Sequence, residues 1–206
     1  RSLFVPGWRV GFTGPPGAGK SSLIDSLGAL LVKRGLRVSC LCVDPSSAVT
    51  GGAVLGDRTR MQQLVAAGCF VRGSAAGRDE GGLNSAARLQ IGLLEALHDV
   101  VLVETVGVGQ TEHEIEAIVD TMLLVLPPAS GDSLQGMKRG ITELADVVVV
   151  NKCDGALADS ANRAALDYRA SMRLLGLRKD DQWKPPVLRA SAHSGMGLEA
   201  IVTTIE

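Results

Sequence analysis

The sequence Gly14-Pro15-Pro16-Gly17-Ala18-Gly19-Lys20-Ser21 matches the phosphate-binding pattern G-x-x-x-x-G-K-[ST]. An apolar run at Trp8–Thr13 precedes it and predicts a strand, and Ser21–Arg34 follows with leucines at helical spacing. Strand, glycine loop and helix together predict a loop whose backbone N–H groups surround phosphates at the amino terminus of the helix. A Gly/Pro-rich turn before an ordinary helix is the alternative, and the agreement of motif and flanks disfavours it.

Apolar runs of strand length alternate with helical patterns along the rest of the chain. The runs at 100–104, 122–126 and 147–150 are continuously apolar, which is typical of parallel strands covered on both faces. Further strands are predicted at 37–43 and 187–189, and helices at 86–97, 161–175 and 198–205. This alternation predicts one domain over residues 1–206, an α/β fold with a doubly wound, mostly parallel sheet and helices on both faces. It is the architecture of a P-loop NTPase.

The composition sets limits on the class of protein. The chain has 206 residues, 46% of them hydrophobic, and a formal net charge of −1, so we expect no attraction to nucleic acid or to an anionic membrane. No apolar run approaches the roughly 20 residues that span a bilayer. Four scattered cysteines lack zinc-ligand spacing and are expected to be reduced and buried, as in a cytoplasmic protein or, in a eukaryote, one of the mitochondrial matrix.

A second motif, N-K-x-D, occurs at Asn151–Asp154, directly after the apolar run 147–150. It is therefore expected at the carboxyl end of a strand, where ligands bind in open α/β sheets. A carboxylate at Asp154 can accept hydrogen bonds from the N1–H and 2-amino groups of guanine, a donor pair that adenine lacks. Lys152 is expected to lie along the base and Asn151 to join neighbouring loops. The alternative is a strand-ending turn, since an Asp-Gly pair favours turns.

The tripeptide Ser191-Ala192-His193 follows the last predicted strand, where such a loop can complete a guanine site through backbone N–H groups. By itself the tripeptide is a weak signal, and the phosphate motif alone does not separate ATP from GTP. The three segments together predict binding and hydrolysis of GTP. The candidate nucleotide-binding residues are Pro16, Gly17, Ala18, Gly19, Lys20, Ser21, Ser22, Asn151, Lys152, Asp154, Ser191, Ala192 and His193.

Carboxylates near the predicted strand ends are candidates for Mg²⁺ and for the attacking water. Asp44 and Glu104 end two strands, and Asp57 follows a glycine-rich stretch. Mg²⁺ prefers oxygen ligands and usually keeps several waters, so one or two of these carboxylates with the Ser21 hydroxyl would suffice. The sequence leaves open which carboxylate binds the metal. A turn before proline is the alternative for Asp44, and a helix N-cap is the alternative for Asp57, because 58–65 has a helical pattern.

Glu104 also begins the segment E-T-V-G, where GTPases usually have D-x-x-G. The N–H of Gly107 is therefore expected to sense a γ-phosphate, which would make 106–112 a switch. With these residues the candidate catalytic set is Lys20, Asp57, Glu104 and Gly107, and the candidate metal set is Ser21, Asp44, Asp57 and Glu104.

Longer motifs cover nearly the whole chain. They are GPPGAGKS at 14–21, VDPSS at 43–47, TGGAVLGDRTRM at 50–61, VETVGVGQ at 103–110, LPPASGDSLQGMKRG at 126–140, NKCD at 151–154, WKPPV at 183–187 and SAHSG at 191–195. With these motifs the chain resembles the MeaB/ArgK-type GTPases, the G-protein chaperones of adenosylcobalamin-dependent acyl-CoA mutases.

The resemblance implies a SIMIBI-type G domain that hydrolyses GTP slowly with Mg²⁺. It implies that the protein gates adenosylcobalamin loading onto a mutase such as methylmalonyl-CoA mutase and protects that enzyme. It also implies a third switch at Pro128–Arg139, in which Asp132, Gln135 and Lys138 contact the partner or the nucleotide. A loop leading into a solvated helix is the alternative for these three residues. The full-length protein is expected to form a homodimer, and the family's N-terminal helical extension and C-terminal dimerisation segment are expected to be absent from this chain.

Some features leave alternatives open. The stretch Arg72–Gly82 departs from the proline-containing loop usual in the family, so the identity of the mutase stays open.

A nickel-enzyme maturation GTPase is an alternative function. It would predict a His/Cys-rich tract, which the sequence lacks. A nucleotide-responsive scaffold with negligible hydrolysis and a kinase are further alternatives, although no separate acceptor site is visible for a kinase. Arg58, Arg60 and Arg139 are candidates for an arginine finger, with solvated surface residues as the alternative.

Overall fold

The computed structural model describes residues 7–44, 59–75, 85–105, 111–128, 144–174 and 183–206. Its seven strands are β1 (Trp8–Thr13), β2 (Val38–Asp44), β3 (Phe70–Ala75), β4 (Val100–Thr105), β5 (Thr121–Leu126), β6 (Val147–Val150) and β7 (Val187–Arg189). They form one sheet in the order β3-β2-β4-β1-β5-β6-β7, in which every strand pair is parallel. The fold class predicted from the sequence is confirmed.

Six α-helices have both ends within the described part of the chain. They are α1 (Lys20–Lys33), α2 (Gln62–Ala66), α3 (Ser85–Leu97), α4 (Thr111–Glu116), α5 (Ala158–Leu174) and α6 (Leu198–Ile205). The sequence pattern missed β3 and α4 and placed the helix before β3 at 58–65. Strand β3 was missed because Arg72 and Gly73 interrupt its apolar character, which an edge strand tolerates.

Helices cover both faces of the sheet. Leucines of α1 pack with α2 and α6 on one face, where Leu23, Leu27 and Leu31 are fully buried. Helices α3 and α5 bury their apolar sides on the other face, against alternate residues of the same strands. Every residue of β5 and β6 is buried, as the continuously apolar runs predicted.

The sheet topology decides where the functional site forms. Strand β1 is central in the sheet, with β4 on one side of it and β5 on the other. Because all strands are parallel, the loops after β1, β4 and β6 leave from the same edge of the sheet. After β1 the chain builds the strands on one side of it (β2, β3 and β4), and it then crosses to build β5, β6 and β7 on the other side. In parallel sheets a crevice opens at the carboxyl end of the strand where the chain changes sides. No described helix is both long and apolar enough to cross a bilayer.

Candidate functional site

The glycine loop after β1 depends on backbone conformations that favour glycine. Gly14, Gly17 and Gly19 have φ angles of 140°, 76° and 86°. A Cβ on Gly14 would overlap the Val125 carbonyl oxygen of β5, and one on Gly19 would lie 2.6 Å from Asn151 Nδ2. Because glycine has no Cβ at these two positions, the loop can lie directly against β5 and against the segment that follows β6.

Lys20 begins α1 and is only 8% exposed. Its ammonium group donates hydrogen bonds to the carbonyl oxygens of Gly14 at 2.8 Å and Pro15 at 3.2 Å. The side chain thus folds back over the loop and places a positive charge inside the curve of its backbone. A cation in this position is suited to an anionic ligand held by the loop.

The next residue contacts the end of β4. The Ser21 hydroxyl donates a hydrogen bond of 2.7 Å to Glu104 Oε1, and the Cys42 thiol lies 3.7 Å from Glu104 Oε2. Two of the four candidate metal ligands are therefore in direct contact, in a pair of oxygen donors of the kind that Mg²⁺ prefers. The backbone of Asp44 ends β2 at the same edge of the sheet, one residue beyond the pairing of Val43 with Thr105.

Asn151 joins three segments of the site. Its Nδ2 donates to the carbonyl oxygens of Ala18 at 3.0 Å and Gly19 at 3.2 Å, and its Oδ1 accepts from the backbone N–H of Ala192 at 3.3 Å. The residue is 1% exposed. The glycine loop, the N-K-C-D segment and the Ser191–His193 loop are thus held together by one buried amide, as the sequence predicted for this residue.

Asp154 lies where the N-K-C-D segment ends, half-buried, with its Oδ2 3.4 Å from Nδ1 of the exposed His193. Lys152 has a φ of 59°, the one positive φ of a non-glycine residue among those described. Such a conformation costs about 1–3 kcal/mol and is found mainly at functional sites. Cys153 lies between them with its Sγ 3.0 Å from the Val150 carbonyl oxygen. Burial raises the pKa of its thiol, so the side chain stays neutral and serves to pack the core.

These segments border a cavity of about 370 Å³. Eight of its twelve lining residues were predicted from the sequence: Gly19, Ser22, Asn151, Lys152, Asp154, Ser191, Ala192 and His193. Of these, Ser191 is fully buried beneath the loop and accepts a hydrogen bond from the Ser194 N–H at 3.0 Å. The volume suits a ligand of the size of a nucleoside.

Four lining residues were not assigned to a nucleotide site from the sequence: Asp25, Ser26, Arg60 and Gln63. Asp25 and Ser26 lie on α1, and the other two belong to the segment around the start of α2. Asp25 is 6% exposed, and its carboxylate accepts from the backbone N–H groups of Gln63 at 3.2 Å and Leu64 at 2.8 Å. The sequence gives no local signal for this pair, because two polar residues one helical turn after Ser22 look like the solvent side of the helix until their buried partners are known.

Ser26 connects the wall of the cavity that α1 and α2 form to the loop after β7. Its hydroxyl donates to the Ala192 carbonyl oxygen at 2.7 Å and accepts from Gln63 Nε2 at 3.4 Å. Helix α2 is therefore attached to the Ser191–His193 loop through a single α1 side chain. These hydrogen bonds close the cavity on the side where α2 meets the Ser191–His193 loop.

Several predicted residues lie outside the described part of the chain: Asp57, Gly107, Asp132, Gln135 and Lys138. The side chain of Asp44 is likewise not described. Among the described residues no group of three or more His, Cys, Asp or Glu could hold a metal ion. The four cysteines form no disulfide.

Comparison with known proteins places the chain in one family. A family model described as methylmalonyl Co-A mutase-associated GTPase MeaB matches residues 6–206. A probable GTPase of Mycobacterium tuberculosis is 48% identical over 200 residues, which are 96% of this chain and 59% of the relative. The mitochondrial methylmalonic aciduria type A homolog of Mus musculus is 45% identical over 200 residues, which are 96% of this chain and 48% of the relative.

A solved structure agrees with these matches. The crystal structure of a LAO/AO transport system kinase has a TM-score of 0.72 and 34% sequence identity, and the match covers 98% of this chain and 59% of that chain. The chain thus spans between about half and three fifths of the length of these relatives. Matched from residue 6 to residue 206, it belongs to the MeaB family of methylmalonyl-CoA mutase-associated GTPases.

Proposed function

We propose that residues 1–206 form one GTPase domain that binds GTP in the crevice beyond β1 and hydrolyses it to GDP and phosphate. The observation that supports this most strongly is the contact of Asn151 with Ala18 and Gly19. It places the N-K-C-D segment against the phosphate loop, so one nucleotide can touch both. Two such loops far apart in the fold would have removed the basis for a GTP site.

The phosphates are proposed to bind the backbone N–H groups of residues 17–22 and the ammonium of Lys20, with Pro16 shaping the entry to the loop. This loop begins α1, whose amino terminus favours an anion. Ser21 and Glu104 fit Mg²⁺ because both offer oxygen atoms and already lie in contact. Bound there, Mg²⁺ would neutralise charge on the phosphates. Of the further carboxylates, we propose that Asp44 or Asp57 completes the metal site or orients water, and that Gly107 binds the γ-phosphate.

The base is proposed to bind in the cavity beside Asp154. A half-buried carboxylate can accept from both N1–H and the 2-amino group of guanine, and adenine would leave it unpaired. The Lys152 stem approaches Gly19, where it can cover one face of a base. Backbone N–H groups of the Ser191–His193 loop are proposed to complete the site.

Replacing Asp154 by asparagine tests the base assignment. We expect Asp154→Asn to weaken GTP binding about 100-fold, since it removes two hydrogen bonds to a charged acceptor. Xanthosine triphosphate should bind the variant better than the wild type, because the amide can donate to the 2-oxo group. Titration calorimetry with both nucleotides measures the change in preference.

The matched control is Asp159→Asn, which removes an exposed carboxylate of α5 outside the cavity. It should bind GTP like the wild type. An Asp154→Asn variant that keeps the full preference for GTP over xanthosine triphosphate would remove Asp154 from the base site.

We further propose that the protein acts as a chaperone of an adenosylcobalamin-dependent acyl-CoA mutase. It would gate cofactor loading and protect the mutase, and it would work as a homodimer in its full-length form. The family description names association with methylmalonyl-CoA mutase, and the mouse relative is named for methylmalonic aciduria. Under this proposal, Asp132, Gln135 and Lys138 couple the nucleotide state to the partner.

Lys138→Ala tests that coupling. We expect single-turnover GTP hydrolysis by the wild type to accelerate at least tenfold on addition of methylmalonyl-CoA mutase, and the variant to bind GTP normally but lose most of the acceleration. Lys184→Ala, at an exposed position before β7, is the control. Full acceleration of the Lys138 variant would refute its role. No detectable hydrolysis by the wild type with or without mutase would instead favour a nucleotide-responsive scaffold.

A further inference from the structure

Ser26 is a buried residue of α1 that contacts the loop after β7. It lies one helical turn after Ser22, so the two serines share one face of α1, and both line the cavity. A serine within a helix often donates its proton to the carbonyl oxygen four residues earlier. The Ser26 hydroxyl instead donates to the Ala192 carbonyl oxygen at 2.7 Å, 166 residues away in the chain. Its side chain therefore bridges α1 and the Ser191–His193 loop.

Ala192 is held at both of its backbone polar groups. Its N–H donates to Asn151 Oδ1 at 3.3 Å, and its carbonyl oxygen accepts the proton of Ser26. A peptide group is planar and trans, so fixing the Ala192 carbonyl oxygen also fixes the direction of the His193 N–H in the same group. These two hydrogen bonds thus set the orientation of loop N–H groups that are proposed to meet the base.

Helix α1 is itself fixed at the level of Ser26. The neighbouring Asp25 carboxylate accepts hydrogen bonds from the backbone N–H groups of Gln63 and Leu64, in the first turn of α2. The first N–H groups of a helix have no partner within it, and a side-chain oxygen that accepts from them acts as a cap. Asp25 thereby caps α2 from another helix, and α1 cannot shift at this level without losing that contact.

The same helix also carries the phosphate side of the proposed site. Lys20 and Ser21 begin α1, and Ser26 follows Ser21 by about 7.5 Å along the axis at 1.5 Å per residue. Because an α-helix hardly changes its length, a loop attached to Ser26 stays at a constant distance from the groups that are proposed to hold the phosphates. A nucleotide needs such a fixed distance, since its base and its phosphates are joined by one ribose.

We propose that Ser26 is a positioning residue of the guanine site, which holds the Ser191–His193 loop at the distance from the phosphate loop that a guanosine nucleotide requires. The inference rests on the proposed GTP function and adds a residue that lies outside every motif noted in the sequence. Ser26 acts through the loop and not on the phosphates. Its loss should therefore weaken binding of the base and spare binding of the phosphates.

Two ligands separate the base side of the site from the phosphate side. The dissociation constants of GTP and of inorganic tripolyphosphate, which has no base, are measured with Mg²⁺ for the wild type and for Ser26→Ala. Alanine favours a helix, so the variant should fold. It should bind GTP about tenfold more weakly, because the Ala192 carbonyl oxygen loses its buried donor, and it should bind tripolyphosphate as the wild type does.

Three further variants show whether the hydroxyl is the cause. Ser26→Thr keeps the hydroxyl and should restore most of the GTP affinity. Ser26→Cys has a thiol, a weak donor, and should resemble Ser26→Ala. Thr204→Val is the matched control, because it removes a hydroxyl of α6 that donates to the Ala200 carbonyl oxygen at the same 2.7 Å outside the cavity. It should bind both ligands like the wild type.

The outcomes distinguish this role from the GTP site itself. Wild-type GTP affinity in Ser26→Ala, or an equal loss of affinity for GTP and tripolyphosphate, would overturn the positioning role and leave the GTP site standing. A Ser26→Thr protein that binds GTP as weakly as Ser26→Ala would count against the hydroxyl. A wild type that does not bind GTP, or that binds GTP but not tripolyphosphate, would contradict the proposed site and this inference with it.

Discussion

Replacement of Lys20 by alanine should lower the affinity for GTP at least about 100-fold and abolish measurable hydrolysis. The ammonium group lies within the glycine loop, held by the carbonyl oxygens of Gly14 and Pro15, and only 8% of the residue is exposed. Hydrogen bonds to charged partners contribute about 1.5–3 kcal/mol each, so two lost contacts to phosphate oxygens account for that factor. Titration calorimetry with GTP gives the affinity directly.

Removal of Lys33 provides the matched control, because Lys33 is an exposed lysine in the last turn of the same helix. Lys33→Ala should bind GTP as the wild type does. Thermal unfolding of both variants without nucleotide shows whether the loop still folds after its ammonium is removed. A folded Lys20→Ala protein with wild-type affinity would contradict the assignment of this loop to the phosphates.

The central part of the fold was predictable because its signals are local. The runs that became β4, β5 and β6 are uniformly apolar, and strands buried on both faces require that character. The glycine loop was equally clear, since a strand, a motif and a helix coincide there. Local signals of this kind depend on residues that are neighbours in the chain.

The wall formed by α2 was not predictable from local signals. Asp25 and Ser26 look like part of the polar side of an amphipathic helix, yet both are buried. Their burial depends on α2, more than 35 residues further along the chain, whose backbone N–H groups satisfy the Asp25 carboxylate. A single sequence does not show which distant segment supplies such partners.

The contacts of Asn151 were also only partly predictable from the sequence. The motif predicted a base-binding segment, and the side chain was expected to join loops. Which loops it joins depends on the placement of β6 two strands from β1, with β5 between them. The hydrogen bonds to Ala18 and Gly19 follow from that strand order and not from the motif.

Substitution of Gly14 by alanine should destabilise the protein by more than about 3 kcal/mol. Gly14 has a φ of 140°, which L side chains rarely adopt, and a Cβ there would overlap the Val125 carbonyl oxygen. That oxygen belongs to the backbone of the buried strand β5, so neither partner can move away by rotating a side chain. Backbone strain and overpacking each cost about 1–3 kcal/mol, and both apply here. Urea unfolding without nucleotide measures the loss.

Gly35→Ala separates the two causes, because Gly35 also has a positive φ, 85°, but a Cβ there meets no atom within 4 Å. It should cost only the conformational strain, about 1 kcal/mol. The difference between the two variants is the cost of pushing the glycine loop away from β5. An equal loss of stability in both would mean that the loop can shift from β5 freely. In that case the close contact of phosphate loop and sheet would not be what holds the candidate site in shape.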